Sequence, residues 1–270
     1  MKREKKKFDH FYQLGWQLDP LGGPSGEAYK AEQDGRKLFL KRNASPFLAA
    51  LSAEGIVPKL VWTKRIETGE VVTAQHWKNG RELTREDMGG LRVAALMSKI
   101  HTSEPLLTML KRLGMKPMLP EILLNKIQSS LSPKVNAHHV VRNAIQYLEN
   151  AVPEIDAADL RVCHGDVNHH NWLLSDTDEL FLVDWEGAMI ADPAIDLGMI
   201  LYPYVDHSEW DSWLQNYGVE LDNDLRSRMK WYTFVQAITM IQWYEDRKRF
   251  TEMNEWILFL SRVIDKDRLI

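Results

Sequence analysis

The sequence predicts an α+β fold, in which an antiparallel sheet with one short helix precedes a mainly helical region. In the first 77 residues, short runs of alternating apolar and polar side chains are separated by turns rich in Gly and Pro, the pattern of half-buried strands. From about residue 84 onward, apolar side chains recur at helical spacing. We therefore predict an amino-terminal lobe at 1–78 and a carboxy-terminal lobe at 79–270, with the Asn79-Gly80 turn as the hinge.

The amino-terminal lobe is predicted to contain a five-stranded antiparallel sheet. Asp34-Gly35 is a strong hairpin signal. Gly55 and Pro58 mark the end of a short helix within 43–60, after the third strand. The expected strands are 14–18, 27–32, 36–41, 59–66 and 71–77.

The carboxy-terminal lobe is predicted to be helical around one small β island. Helical spacing is clear at 84–103, 120–131 and 137–152, and almost everything after residue 208 is predicted to be helical. The segment 160–185 is instead typical of short strands joined by a loop and a turn. This island contains the most polar stretch of the chain, CHGDVNHHN at 163–171.

Composition and charge exclude several classes of function. Apolar residues make up 44% of the chain and the net charge is -4, so we expect no direct nucleic-acid binding and no attraction to membranes through charge. No apolar run approaches the roughly 18 residues that span a bilayer. The single cysteine, Cys163, excludes a disulfide or a cysteine-based zinc site within one chain. A reducing, cytoplasmic location is the simplest expectation.

The polar stretch at 163–171 has three interpretations. His164, Asp166, His169 and His170 could be zinc ligands, but adjacent side chains on an extended chain, such as His169 and His170, point in opposite directions. A second interpretation is a polar turn without function. In the third interpretation, the stretch acts together with an aspartate at the end of the strand that follows it.

The third interpretation is a catalytic loop for phosphoryl transfer. Asp166 precedes Asn171 by five positions, and the apolar strand at 180–183 ends at Asp184. A loop of the form Asp-x-x-x-x-Asn followed by an Asp at the end of a strand is the arrangement of kinase-type phosphoryl transfer. The first Asp accepts the proton of the attacking hydroxyl, and the Asn and second Asp supply the oxygen ligands that Mg²⁺ prefers.

This interpretation also requires nucleotide-binding groups in the amino-terminal lobe, and the sequence contains candidates for each. They are a Gly-rich loop that covers the phosphates, a lysine on the third strand that reaches them, and a linker that holds the adenine. These groups are Gly22, Gly23, Ser25 and Gly26; Lys41; and Gln75, His76 and Trp77.

Several segments resemble the aminoglycoside phosphotransferase and choline kinase superfamily, whose members are relatives of the protein kinases. HGDVNHHN at 164–171 with LVDWE at 182–186 resembles the HGDxxxxN…D pattern of that superfamily. LMSKIH at 96–101 and ADPAIDLG at 191–198 are similar to two further segments. The resemblance covers about residues 14–245. It implies a bilobal, protein-kinase-like fold with ATP and Mg²⁺ as cofactors.

The resemblance also implies roles for individual residues. Asp166 is the catalytic base, and Asn171 and Asp184 hold Mg²⁺. His164 and Asp196 brace the backbone of the catalytic loop. His101 has a structural role, and His169 and His170 lie in the variable part of the motif and receive no role.

One residue departs from the superfamily pattern. The helix of the amino-terminal lobe usually carries a Glu that pairs with the strand-three lysine. Here Glu54 lies only at the end of that helix, and it is the candidate partner of Lys41. A Lys41 without an acidic partner would favour a pseudokinase, a regulatory protein that binds nucleotide and a protein partner without significant turnover.

The acceptor of the phosphoryl group is predicted from the carboxy-terminal lobe. Aromatic side chains cluster in its last third, where they suit the face of a sugar or nucleoside. Acidic side chains lie among them and would suit a cationic acceptor such as choline or an aminoglycoside. Our prediction is a sugar or nucleoside. The candidate substrate contacts are Trp185, Glu186, Asp192 and Tyr202.

Within the superfamily, 39–65 and 163–174 most resemble the CcrZ/YtmP subgroup of Gram-positive bacteria. That resemblance implies a link to cell-cycle control and the initiation of DNA replication. It therefore implies a protein partner in replication or division control.

Overall fold

The computed structural model describes residues 15–22, 28–66 and 69–266. The chain forms two compact units. The first consists of Met1–Glu82 and Trp172–Glu186, and the second of Leu83–Asn171 and Gly187–Ile270. Compared with the predicted boundary at residues 78 and 79, the first unit extends to Glu82 and also includes a segment from the predicted carboxy-terminal lobe.

The first unit contains the predicted five-stranded antiparallel sheet. Its strand order is β1-β2-β3-β5-β4, and the pairs β1–β2, β2–β3, β3–β5 and β4–β5 are all antiparallel. Lys41 on β3 is directly opposite Thr73 on β5. The strands are β1 (Gln17–Gly22), β2 (Ala28–Gln33), β3 (Arg36–Arg42), β4 (Leu60–Arg65) and β5 (Val71–His76).

Alternation of side chains gives the sheet one apolar face. Successive residues of a strand point to opposite faces, so every second residue of β2, β3 and β5 joins one buried cluster. These three strands lie at the centre of the sheet, where each has a neighbouring strand on both sides. The cluster consists of Tyr29, Ala31, Leu38, Leu40, Val72 and Ala74.

The first strand differs from its prediction. Its predicted range is 14–18, but it begins at Gln17 and continues to Gly22, so Gly22, expected in the phosphate loop, is the last residue of the strand. Pro20 is tolerated there because β1 is an edge strand, and the register shifts between Pro20 and Gly22. The predicted phosphate loop beyond it, with Gly23, Ser25 and Gly26, lies outside the described residues.

A short helix and a small sheet complete the first unit. Helix α1 (Phe47–Ala53) ends before Gly55, whose positive φ of 67° is the usual carboxy-terminal signal. The small antiparallel sheet has the order β6-β8-β9, with β6 (Gly80–Glu82), β8 (Trp172–Ser175) and β9 (Leu180–Leu182). Leu182 N donates to Ile56 O at 3.0 Å, which joins this sheet to the segment after α1.

The second unit is mainly helical. A two-stranded antiparallel sheet of β7 (Arg161–Cys163) and β10 (Met189–Ala191) lies among the helices. Short 3₁₀ turns occur at Asp87–Gly89, His169–Asn171 and His207–Glu209, and a further one at Trp185–Gly187 joins the two units along the chain. The helices are α2 (Leu91–His101), α3 (Glu104–Arg112), α4 (Pro120–Ser130), α5 (Pro133–Ala137), α6 (His139–Asn150), α7 (Ala194–Tyr204), α8 (Trp210–Tyr217), α9 (Asn223–Asp246) and α10 (Phe250–Lys266).

Close packing of α7 against α9 positions the segment after β10. A Cβ on Gly198 would lie 2.6 Å from both Met229 O and Thr233 Oγ1, so only glycine allows the two helices to approach this closely.

In the described ranges, no helix combines the length and apolar character needed to cross a membrane.

Candidate active site

Asp196 fixes the backbone at the start of the catalytic loop. It lies in the first turn of α7 and is completely buried. Its carboxylate accepts hydrogen bonds from His164 N at 2.7 Å and from Gly165 N at 2.9 Å. These bonds agree with the predicted bracing role of Asp196, and they hold the two residues that precede Asp166.

His101 and Tyr217 extend this buried network. His101 Nε2 lies 3.1 Å from Asp196 Oδ2, and His101 Nδ1 lies 2.7 Å from the Tyr217 hydroxyl. Burial alone would raise the pKa of Asp196, but the hydrogen bond and charge of His101, with the backbone N–H of His164, hold that pKa below its ordinary value. Asp196 is therefore a buried carboxylate stabilised in its ionised form.

Gly165 and its partners set the turn into the loop. Its φ is +80°, and a Cβ there would lie 2.6 Å from Met189 Cε, so the position favours glycine. Gln236 Nε2 on α9 donates to Gly165 O at 3.0 Å. His164 Nδ1 accepts from Asp166 N at 3.2 Å. The backbone before Asp166 is thus held on several sides.

Asp166 presents an exposed carboxylate that two amide side chains orient. Asn168 Nδ2 donates to Asp166 Oδ1 at 2.7 Å, and Asn171 Nδ2 donates to Asp166 Oδ2 at 3.1 Å. Asn171 Nδ2 also donates to the Asp166 backbone oxygen at 2.8 Å. Since the amide nitrogen of Asn171 faces Asp166, its amide oxygen remains available as an acceptor or ligand.

Lys41 forms an ionic cluster in the first unit. Its Nζ lies 3.2 Å from Asp184 Oδ1 and 2.8 Å from Glu186 Oε1. Asp184, two residues after the end of β9, has a positive φ of 63°, a conformation that Asp adopts more readily than most residues. Burial alone would lower the pKa of Lys41, but the carboxylates of Glu186 and Asp184 more than offset this and raise it.

The candidate partner of Lys41, Glu54, is replaced by these two carboxylates. Glu54 is the residue that caps the end of α1, and its backbone N–H donates to Ala50 O at 3.0 Å. In the described ranges, the ion pairs of Lys41 are with Asp184 and Glu186. The prediction failed because the helix is only seven residues long and offers no acidic residue within its span.

The predicted adenine linker is engaged within the first unit. Gln75 is buried, and its Nε2 donates to Pro58 O at 2.7 Å. The backbone N–H groups of His76 and Trp77 donate to Lys59 O at 2.9 Å and to Lys37 O at 3.3 Å. The Gln75 side chain therefore has a packing role here, while a nucleotide contact by the linker stays a prediction.

Three of the predicted substrate contacts are buried in this structure. Asp192 accepts a hydrogen bond from Ala194 N at 3.0 Å and receives Arg228 Nη1 at 2.6 and 2.8 Å. Trp185 donates to Leu182 O at 2.8 Å. The Tyr202 ring lies 4.8 Å from that of Trp210. The fourth, Glu186, is exposed beside Lys41, and a substrate contact stays a prediction for all four residues.

Sequence reasoning missed a second group of residues at the catalytic loop. The Tyr204 hydroxyl lies 3.0 Å from His169 Nδ1 and accepts from His169 N at 3.4 Å. The guanidinium of Arg85 lies 4.8 Å from the centre of the Tyr204 ring. These residues are far apart in sequence and follow no motif, so no pattern could have grouped them.

The zinc interpretation of the loop is not supported. In the part of the chain that the structure describes, the group with metal-ligand spacing is His101, Cys163 and Asp196, which are all buried. His101 and Asp196 are hydrogen bonded to each other, and burial raises the pKa of the Cys163 thiol well above its ordinary value, so the thiolate that zinc requires is disfavoured.

Comparison with known proteins places the chain in a family. Residues 19–232 match the model described as the phosphotransferase enzyme family. This match spans most of the 270 residues and includes β2 to β10, the predicted catalytic loop and α7.

Solved structures of similar proteins share the fold. The choline kinase LicA from Streptococcus pneumoniae is 19% identical, with 97% of this chain and 100% of that chain covered and a TM-score of 0.70. Spectinomycin phosphotransferase APH(9)-Ia, in complex with ADP and spectinomycin, is 14% identical, with 92% of each chain covered and a TM-score of 0.71. A choline/ethanolamine kinase family protein from Mesorhizobium loti is 18% identical, with 92% and 88% covered and a TM-score of 0.65. The predicted kinase-like fold is thereby confirmed.

Proposed function

Since the chain belongs to the phosphotransferase enzyme family, we propose that it is a small-molecule kinase that transfers the γ-phosphoryl group of ATP to a hydroxyl group. The observation that carries this proposal is the carboxylate of Asp166, which is exposed to solvent yet oriented by Asn168 and Asn171. A protein that only binds nucleotide has no need of an oriented base.

The chemistry follows from these groups. Asp166 accepts the proton of the acceptor hydroxyl. The acceptor oxygen forms a bond to the γ-phosphorus as the bond from that phosphorus to the β–γ bridging oxygen breaks, and ADP leaves. Lys41 neutralises phosphate charge in this proposal. The protein acts mainly by positioning and electrostatic stabilisation.

The donor set suits magnesium. The Asn171 amide oxygen and the Asp184 carboxylate are hard oxygen ligands of the kind that Mg²⁺ prefers, and about half of the Asp184 side-chain surface is exposed (52%). We propose that these two residues hold Mg²⁺, which when bound would neutralise charge on the phosphates. Glu186 is exposed in the same cluster and is a further oxygen donor.

The acceptor that we propose is the hydroxyl of a sugar or nucleoside. The solved relatives include a choline kinase and a spectinomycin phosphotransferase, so choline and aminoglycosides are the competing acceptors. We further propose a cytoplasmic protein linked to cell-cycle control and replication initiation through a protein partner, because 39–65 and 163–174 resemble the CcrZ/YtmP subgroup.

The test is phosphoryl transfer from Mg–ATP to a panel of sugars, nucleosides, choline and aminoglycosides. For the acceptor that turns over, we expect Asp166→Asn to lower kcat on the order of 10²–10⁴-fold, the range for loss of a general base. Nucleotide affinity should be unchanged, since Asp166 is not proposed to bind ATP. Asp211→Asn, an exposed aspartate in the first turn of α8, is the matched control.

Two results would contradict this proposal. Near-normal turnover by Asp166→Asn would remove Asp166 as the base. Binding of ATP without transfer to any acceptor would favour the alternative of a regulatory nucleotide-binding protein.

A further inference from the structure

Three elements of the second unit meet beside the catalytic base. Arg85 precedes the 3₁₀ turn at Asp87–Gly89, Tyr204 ends α7, and His169 belongs to the catalytic loop. Arg85 stacks on Tyr204 at 4.8 Å, and the Tyr204 hydroxyl contacts His169 at 3.0 Å. No role in the proposed reaction has been assigned to these three residues.

The Arg85 guanidinium is exposed but oriented. Its Nη2 donates to Pro203 O at 3.0 Å, and its Cζ lies over the Tyr204 ring, 4.8 Å from the ring centre. In the described ranges, Arg85 has no carboxylate within ion-pair distance. An arginine held in one orientation loses less entropy for each hydrogen bond that it forms with a ligand.

The acidic residues next to Arg85 in sequence are engaged elsewhere. Asp87 Oδ2 accepts from Thr84 N at 2.8 Å and from the Thr84 hydroxyl at 3.0 Å. The pKa of Glu86 is lowered mainly by hydrogen bonds from its own backbone and from Thr84, and to a smaller extent by the charge of Arg85. Both carboxylates thus accept hydrogen bonds from groups other than the Arg85 guanidinium.

The predicted catalytic loop brings this group close to Asp166, because His169 follows Asp166 by three residues and contacts the Tyr204 hydroxyl through Nδ1 at 3.0 Å and through its backbone N–H at 3.4 Å. The pKa of Tyr204 agrees with this position. Burial raises that pKa, the N–H of His169 and the charge of Arg85 lower it, and the negative charge of Asp166 raises it. The same carboxylate must receive the acceptor hydroxyl in the proposed reaction. An acceptor at Asp166 therefore encounters a surface of donors, with the guanidinium as its fixed positive charge.

We propose that Arg85, Tyr204 and His169 form the acceptor-binding surface beside Asp166, and that it selects a neutral or anionic polyol over a cationic amine. This inference rests on the proposed function, because it names the acceptor class of the same site. Arg85 and His169 are donors to acceptor oxygens, and Tyr204 holds both in place. Among the acidic residues that the sequence offers for a cationic acceptor, Asp192 forms an ion pair with Arg228.

The test measures binding and does not depend on turnover. With ADP and Mg²⁺ present, pentoses, hexoses and nucleosides are titrated calorimetrically into the full-length protein, beside choline, ethanolamine and kanamycin. We expect at least one polyol to bind, and every amine to bind at least about tenfold more weakly, since one charged hydrogen bond accounts for a factor of that size.

Variants then assign the selectivity to Arg85. Arg85→Glu should lower the affinity for the best-binding polyol about tenfold or more and raise the affinity for the amines. Arg142→Glu makes the same charge change at an exposed arginine of α6 and should alter neither. Tyr204→Phe keeps the stacked ring but removes the hydroxyl at His169, so its effect should be smaller than that of Arg85→Glu.

Three outcomes would overturn the inference. They are an amine as the tightest ligand, no binding by any polyol, or equal effects of Arg85→Glu and Arg142→Glu. Polyol binding that depends on Arg85 without phosphoryl transfer would contradict the proposed function and leave the acceptor surface in place.

Discussion

Two polar clusters of this protein contrast in their burial. The cluster around Asp196 is closed to solvent, with 1% of the side-chain surface exposed for both His101 and Asp196. The cluster around Lys41 is open, with 21%, 52% and 66% exposed for Lys41, Asp184 and Glu186. The closed cluster pairs a carboxylate with an imidazole, and the open cluster pairs two carboxylates with an ammonium group. The different exposure to water gives the two clusters opposite effects on stability and on ligand access.

Burial determines what each cluster can contribute. A buried carboxylate that accepts backbone hydrogen bonds is expensive to remove, because its partners are left unsatisfied in a medium without water. An exposed ion pair contributes little to stability, because water and salt replace its partners. The closed cluster therefore fixes the catalytic loop, and the open cluster leaves its charges accessible to a ligand.

The largest effect on stability is expected from Asp196→Ala. The change leaves the N–H groups of His164 and Gly165 without their acceptor, so the free energy of unfolding should fall by about 2–5 kcal/mol. Denaturant unfolding measures this, with the exposed Asp211→Ala as the control. A loss no larger than that of the control would show that the closed cluster does not stabilise the fold.

A smaller effect is expected from pH acting on the same carboxylate. The pKa of Asp196 is lowered in the folded protein, so its stabilising contribution is present above the unfolded value and is lost as pH falls through the lowered one. The difference in unfolding free energy between the native protein and Asp196→Asn should therefore shrink as pH falls from about 7 to about 3. A difference that stays constant over this range would mean that ionisation of Asp196 is not the stabilising factor.

In the open cluster, Lys41→Ala should affect ligand binding more than folding. We expect nucleotide affinity to fall about tenfold or more, the factor for one charge-assisted hydrogen bond. The unfolding free energy should change by less than about 1 kcal/mol. Calorimetric titration with ATP and Mg²⁺ tests the first value, with Lys37→Ala on the same strand as control. An ATP affinity that is unchanged in Lys41→Ala would show that Lys41 does not bind the nucleotide.

The smallest effect on stability is expected from Glu186→Gln. The side chain is 66% exposed, and Lys41 keeps Asp184 as a partner, so the change in unfolding free energy should stay below about 0.5 kcal/mol. Thermal and denaturant unfolding would detect a larger loss. Such a loss would indicate that the open cluster behaves as a buried one, and the contrast between the two clusters would fail.

Local patterns explain which parts of the fold could be predicted. Alternation at 27–32 and the Asp34-Gly35 turn predict strands β2 and β3, and Gly55 correctly marks the end of α1. The spacing of Asp166 and Asn171 also identified a pair that is hydrogen bonded in the structure. Each of these signals is formed by residues that lie within a few positions of one another in the sequence.

Other features depend on contacts between distant residues. Lys41 pairs with carboxylates 143 and 145 positions later in the sequence, and a search near α1 could suggest only Glu54. From the sequence alone, Asp192 could not be distinguished from an aspartate that binds a ligand. In the structure it forms an ion pair with Arg228 on α9. Arg85 and Tyr204 meet only after the chain has folded.

The discontinuity of the first unit has a consequence for biosynthesis. Strands β8 and β9 and both carboxylates of Lys41 come from Trp172–Glu186. A ribosome that has released β1 to β5 must therefore add about a hundred further residues before that unit is complete. Domains usually fold in the order of their synthesis, but here the first unit is completed only when β8 and β9, from the second half of the chain, join β6 in the small sheet.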